Sequence, residues 1–247
     1  QKEGPLKYNG VVYNEMKGAF SSPDEVLERE IMNHLFPDTT YGCESGGDPK
    51  NIPDLTYENF LNFHRTYYHP SNSYIYLYGN MDMEEKLAFL DEHYLSHFDY
   101  LDVDSVIQEQ KAFGACQDVT LEYPVAENEG EEDNTYLSYN MVVGNAADSQ
   151  MAMAFEVLDY ALLSAPGAPL KQALLDVKAG KDVYGSYDDG ILQPYFTVIA
   201  KGSNPDRKEE FVSVIRQVLG DIVKNGIDRK AVEAGINYFE FRYREAD

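Results

Sequence analysis

Cysteine, basic side chains and long apolar runs are scarce in this 247-residue sequence. The two cysteines, Cys43 and Cys116, lie far apart without CxxC spacing. This excludes a disulfide framework and a thiolate zinc site, and leaves two ordinary thiols suited to a reducing compartment. No stretch approaches the ~20 apolar residues that cross a bilayer, and the opening QKEGPLKYNG lacks the apolar centre of a signal peptide. A soluble chain with no membrane partner is expected. Lys and Arg total 20 against 43 acids, a net charge of −23, so nucleic acid or anionic lipid is repelled. A basic or neutral partner fits better, although acidity of this kind ordinarily serves solubility.

A hydrophobic content of 43% is enough for a core, in one large domain or two smaller ones. No Met opens the chain, and YFEFRYREAD closes it inside a helix-like pattern. An excised piece of a longer polypeptide is therefore expected.

In NGVVYNEMKGAF, residues 9–20, Val12, Met16 and Phe20 repeat at helical spacing, with Val11 and Glu15 on the neighbouring stripe. Ser22-Pro23-Asp24 reads as a second helix start, with Ser22 as N-cap and Pro23 in the first turn, running to Pro37. A loop dense in Gly, Pro and Asp, TTYGCESGGDPKNIPD, follows. Thr56 opens a helix through TYENFLNFHRTYY that His69-Pro70-Ser71-Asn72 ends. SYIYLYGN, rich in aromatic residues, reads as a strand, and MEEKLAFLDEHYLSHF as a further helix.

Periodicity lapses near Leu101–Gln117, which predicts a linker. Beyond it, DVTLEYPV and NTYLSYNMVV read as a hairpin around the acidic loop AENEGEED. Met151, Phe155, Leu158 and Leu162 mark a long amphipathic helix, and Leu170, Leu174 and Val177 another. YFTVIAKGS reads as a strand. Two helices close the chain, the first with Val212, Ile215, Leu219 and Ile222 on one face. The fold class implied is α+β, with antiparallel sheets and helices packed on one side.

Catalytic patterns are weak. His93 and His97 stand four apart in DEHYLSHF, the spacing of zinc-binding helices, but no Glu accompanies them as HExxH or HxxEH. They read as structural histidines. His64 and His69 read as packing or helix-terminus residues, and His34, in EIMNHLF, as a packed side chain. No Ser-His-Asp order, P-loop or GxGxxG can be assembled, and SGGDP reads as a turn. The acidic loop 127–133 lacks the order of an EF-hand and reads as a solvated tip. Glu15 alone reads as a surface carboxylate.

Several motifs in order change that reading of Glu15: GVVYNEMKGAF, then SGGDP, IP-x-LT, FH-x-TYYHPSN and YGN. Together they closely resemble the pitrilysin/insulysin family of zinc metallopeptidases, in its presequence-protease and falcilysin branch, with a weaker likeness through the rest of the chain. The resemblance implies zinc held by two histidines of an HxxEH helix, whose Glu is the general base, and by a third ligand from a later helix, a position that Glu15 matches. Two imidazoles and one carboxylate leave the fourth tetrahedral position for a water whose pKa the metal lowers to ~7. HxxEH is absent from these residues, so the resemblance places it before Gln1 and implies that this chain alone is inactive.

It further implies two pitrilysin-like units: residues 1–105 as the end of the zinc-site domain, 106–117 as linker, and 118–247 as most of the second domain. Substrates would be short unfolded peptides bound by strand addition. The partner would be the remainder of the same polypeptide, and the location bacterial cytoplasm or an organellar matrix. The alternative is a non-catalytic structural or peptide-docking subunit.

Overall fold

The computed structural model describes residues 4–126 and 130–245. Two compact units emerge, residues 1–19 with 44–108, and residues 20–43 with 109–247.

The first unit holds α1 (Val11–Ala19), α3 (Tyr57–Tyr67) and α4 (Met83–His93). Thr56 and Asn59 form a reciprocal capping box that starts α3, satisfying donors that a helix N-terminus leaves open. Asp82 caps α4 by accepting from Glu85 N at 3.1 Å. The HPSN turn is a joint in which each residue has a task. His69 Nδ1 accepts from Ser71 N at 3.2 Å, and Pro70 opens a short 3-10 turn. Ser71 Oγ accepts from Leu101 N at 3.1 Å. The Asn72 amide donates to the Tyr67 carbonyl at 3.0 Å, and its oxygen accepts from Ser105 Oγ at 2.5 Å.

The expected strand at 73–80 is corrected: no ladder forms there, and Tyr74, Tyr76 and Tyr78 stand 104%, 84% and 85% exposed. Aromatic, β-prone sequence makes a strand only when a partner supplies the hydrogen bonds, and no described residue does. None of the described hydrophobic side chains of this unit is buried.

The second unit is built on a three-stranded antiparallel sheet, β1 (Thr135–Val142), β2 (Asp182–Asp188) and β3 (Tyr195–Ser203), in the order β1-β3-β2. Side chains alternate across the central strand. Phe196, Val198 and Ala200 enter a core with Leu163, Leu170, Leu174, Phe211 and Ile215. These come from a π-helical turn (Tyr160–Ser164) that extends α5 (Ser149–Asp159), from α6 (Pro169–Asp176) and from α7 (Lys208–Asn225). α8 (Arg229–Glu245) lies against α5, where Gly235 allows close approach: a Cβ there would stand 3.1 Å from Val157 Cγ1. The expected α+β class with an antiparallel sheet is thus present, with α5, α6 and α7 packed on one face of it.

The opposite face of β3, carrying Tyr195 and Ile199, is covered in part by α2 (Pro23–Leu35) through Ile31 and Phe36. Residues 20–43, which the sequence reading groups with the preceding helices, therefore pack in the second unit. The expected hairpin is corrected too, since β1 pairs with β3 and residues 118–125 join no ladder. Tyr123 instead donates its hydroxyl to the Asn134 carbonyl and meets the Tyr136 ring edge-on at 5.8 Å. β2, unforeseen in DVYGSYDDG, pairs with β3 from Asp182↔Lys201 to Asp188↔Tyr195.

Candidate functional site

α1 is short, with two β-branched valines at its start and Gly18 inside it, features that give little intrinsic helical stability. Glu15 sits at its middle and is exposed. Among the described residues no side chain bonds to its carboxylate, a free oxygen donor. The next residue, Met16, is half-buried, and its thioether fills the space beside Gly46 of SGGDP: a Cβ at Gly46 would fall 2.4 Å from Met16 Sδ and 2.8 Å from Cε.

The SGGDP segment is the turn its composition predicts. Gly47 adopts φ +92°, a left-handed backbone that glycine accepts without penalty. Gly46 N donates to Glu44 Oε1 at 3.3 Å, and Gly47 N to the Glu44 carbonyl at 3.1 Å. Asp48 Oδ1 accepts from Lys50 N at 2.7 Å, and its carbonyl from Asn51 N and Ile52 N, both at 2.9 Å.

Each histidine whose contacts the structure describes has partners of its own. α4 ends at His93, and His97 lies in a separate 3-10 turn (Leu95–His97), so the expected shared helical face does not exist. Tyr94, at φ −140°, breaks the helix between them. His93 packs on Phe89, ring centroids 4.6 Å apart. His64 stacks on Tyr68 at 4.8 Å and His69 meets Phe98 edge-on at 5.3 Å, the packing roles expected. His34 departs from expectation: it is exposed, and its Nδ1 donates to the Glu30 carbonyl at 2.7 Å. It belongs to the last turn of α2, where the amphipathic pattern turns it outward. Cys43 and Cys116 are free and exposed.

No group of three or more His, Cys, Asp or Glu side chains among the described residues could hold a metal ion. Glu15 fits such an ion as one oxygen donor, and the described residues supply no complete ligand set. Residues 127–129 of the acidic loop lie outside the described residues. Its last member, Asp133, has φ +58° and a reciprocal pairing with Asn204: its N–H donates to Asn204 Oδ1 at 2.9 Å and its Oδ1 accepts from Asn204 Nδ2 at 2.8 Å. The Asn204 amide, with Lys181 beside it, holds the Asp133 carboxyl below the usual carboxylate range. These are features of loop closure.

One ionisable group of the second unit escaped the sequence reading. Asp159, at the end of α5, has Oδ1 buried without a hydrogen-bond partner, while Oδ2 accepts from Ser164 Oγ at 3.3 Å. Burial pushes its pKa above the ordinary value, the Ser164 bond opposing weakly. The amphipathic pattern through Leu162 gave no sign of the π-helical turn that follows it.

Residues 54–239 match the model of the family described as peptidase M16 inactive domain. The chain belongs to the peptidase M16 family. This M16 chain is 50% identical over its full length to protein HypA of Clostridium perfringens, of which it covers 25%, and 38% identical over 97% of its length to presequence protease 1, chloroplastic/mitochondrial, of Arabidopsis thaliana, of which it covers 22%. It thus spans about a quarter of the length of these curated relatives. In fold it is similar to an M16 inactive domain from Pseudomonas fluorescens, with TM-score 0.68, 19% identity, and coverage of 93% of this chain and 54% of that one. The fold is pitrilysin-like. No helix among the described residues is long and apolar enough to cross a membrane.

Proposed function

We propose that this M16 chain is part of a zinc-dependent metalloendopeptidase that degrades short unfolded peptides, and that it contributes Glu15 as the third protein ligand. When bound, the metal would supply an activated water for attack on a peptide carbonyl. Glu15 would hold it through a carboxylate oxygen, and the two imidazoles and the general base would come from polypeptide outside these residues. On this reading the 247 residues alone hydrolyse nothing.

The observation that carries the proposal is the free carboxylate of Glu15, exposed on α1 within the GVVYNEMKGAF motif, in a chain 38% identical to a presequence protease. Two further observations support dependence on more polypeptide. The first unit buries none of its described hydrophobic side chains, and the relatives are about four times as long. Peptide substrates and the rest of the same polypeptide are the partners proposed, with no nucleic acid or membrane among them, as the charge of −23 favours. The relatives' bacterial and organellar descriptions support bacterial cytoplasm or an organellar matrix as the location.

A non-catalytic structural or docking role is the second reading, favoured by the match to the family's inactive domain. That match begins at residue 54 and leaves out α1 and Glu15, so it bears on the later part of the chain. The deciding experiment is Glu15→Gln in the full-length polypeptide, with zinc content measured by elemental analysis and turnover measured on an unstructured basic peptide. Loss of stoichiometric zinc and a fall in turnover of about a hundredfold or more are expected. Retained zinc and normal turnover would remove Glu15 from the site. Absence of an HxxEH segment from the full-length sequence would favour the non-catalytic reading.

A further inference from the structure

We propose that the SGGDP loop is a positioning element for Glu15, with Met16 as the side chain that transmits its hold. The inference rests on the reading of Glu15 as a metal ligand. A ligating carboxylate has to be held to within about half an ångström of its working position, and α1 is poorly equipped to do so alone. It has nine residues, no buried side chain and a glycine in its last turn, whereas isolated helices shorter than about 12 residues are marginal in water. Its orientation must come from contacts outside itself.

Within the first unit, two side chains of α1 are partly buried. Tyr13 leans on Tyr8, ring centroids 5.9 Å apart, and Met16 enters the space beside Gly46. Tyr8 is itself 71% exposed and makes a soft support. The loop under Met16 is firm, because Glu44, Gly47 and Asp48 close it through their own hydrogen bonds. The two glycines divide the work. Gly47 supplies the positive φ that turns the chain, and Gly46 supplies the missing Cβ that lets the thioether approach. The order Glu15-Met16 thus places an exposed donor one residue from the anchor of its helix. A thioether suits this role, since its three flexible torsions let it fill an irregular gap.

The test uses the full-length polypeptide and four variants, Met16→Ala, Met16→Leu, Gly46→Ala and Glu15→Gln. Zinc affinity is read by competition with a chromophoric chelator, and the order of α1 by amide hydrogen exchange over residues 11–19. Met16→Ala should speed exchange in α1 and weaken zinc about tenfold. Gly46→Ala should act in the same direction more mildly, because the end of Met16 can swing aside, and it serves if Met16→Ala fails to fold. Met16→Leu, of similar volume, should restore affinity to within about twofold.

The proposal is overturned if Met16→Ala and Gly46→Ala leave zinc affinity unchanged while Glu15→Gln weakens it; Glu15 would then remain a ligand that needs no such anchor. It is equally overturned if α1 exchanges at the wild-type rate in Met16→Ala. Unchanged affinity in Glu15→Gln would sink the ligand reading itself, and this inference with it, even where exchange shows that Met16 orders the helix.

Discussion

Phe36 meets Tyr195 edge to face, their ring centroids 6.2 Å apart, and this contact seats the end of α2 on the central strand of the second unit. Phe36 is fully buried and also touches the ring of Tyr41 at 5.9 Å. Truncation to Ala removes the ring and leaves a cavity that a sheet surface cannot collapse to fill. Phe36→Ala should lower the unfolding free energy by about 3–5 kcal/mol, measured by urea denaturation, with Phe36→Leu costing much less. A loss under ~1 kcal/mol would mean that α2 is a loosely held cover.

Gln110 is the buried polar residue of the segment that periodicity marks as a linker. Its side-chain oxygen accepts from Asp38 N at 2.9 Å, and its amide donates to Asp38 Oδ2 at 2.8 Å. Its backbone exchanges bonds with the Gln193 amide at 2.6 and 3.2 Å. Gln110→Ala leaves the Asp38 N–H without its acceptor and should cost about 1–3 kcal/mol. Gln110→Glu keeps the acceptor but sets a second carboxylate against Asp38, so it should cost at least as much. Equilibrium denaturation of both variants checks the order.

Asp159 predicts a pH dependence of definite sign. Burial raises its folded-state pKa above the ordinary 3.8, so the folded protein binds this proton more tightly than the unfolded chain. Its contribution to stability is greatest below 3.8, falls as pH rises through the raised value, and is level above it. Asp159→Asn should therefore melt at a higher temperature than wild type at pH 8, with the difference shrinking in acid. A scan of melting temperature against pH in both proteins reads this directly. A parallel pair of curves would show that Asp159 finds solvation the static geometry does not reveal.

How much of this was legible depends on whether a residue's role is local. Pro23 at the start of α2 and Thr56 with Asn59 at the start of α3 are written in adjacent residues and were readable. β3 was readable over Tyr195–Ser203 because its apolar run is continuous, the mark of a strand covered on both faces. β2 was missed because tyrosine, glycine and aspartate dilute its alternation, and Gly185 is there for packing. A Cβ at that position would fall 2.3 Å from Leu163 Cδ1 and 2.6 Å from the Thr197 carbonyl. The hairpin expected over 118–143 does not form because local pattern proposes a strand without naming its neighbour. Glu15 was noticed through motif resemblance, and its Met16–Gly46 support spans thirty positions that no short-range pattern joins.

The alternation along β3 ties two otherwise separate layers to one fate. Tyr195 and Ile199 serve the α2 side while Phe196, Val198 and Ala200 serve the larger core. Peeling away either layer would wet one side of a ribbon whose other side is still dry. The amides of residues 196–200 should thus be the last of the unit to trade protons with solvent, and damage to one layer should be felt as softness in the other.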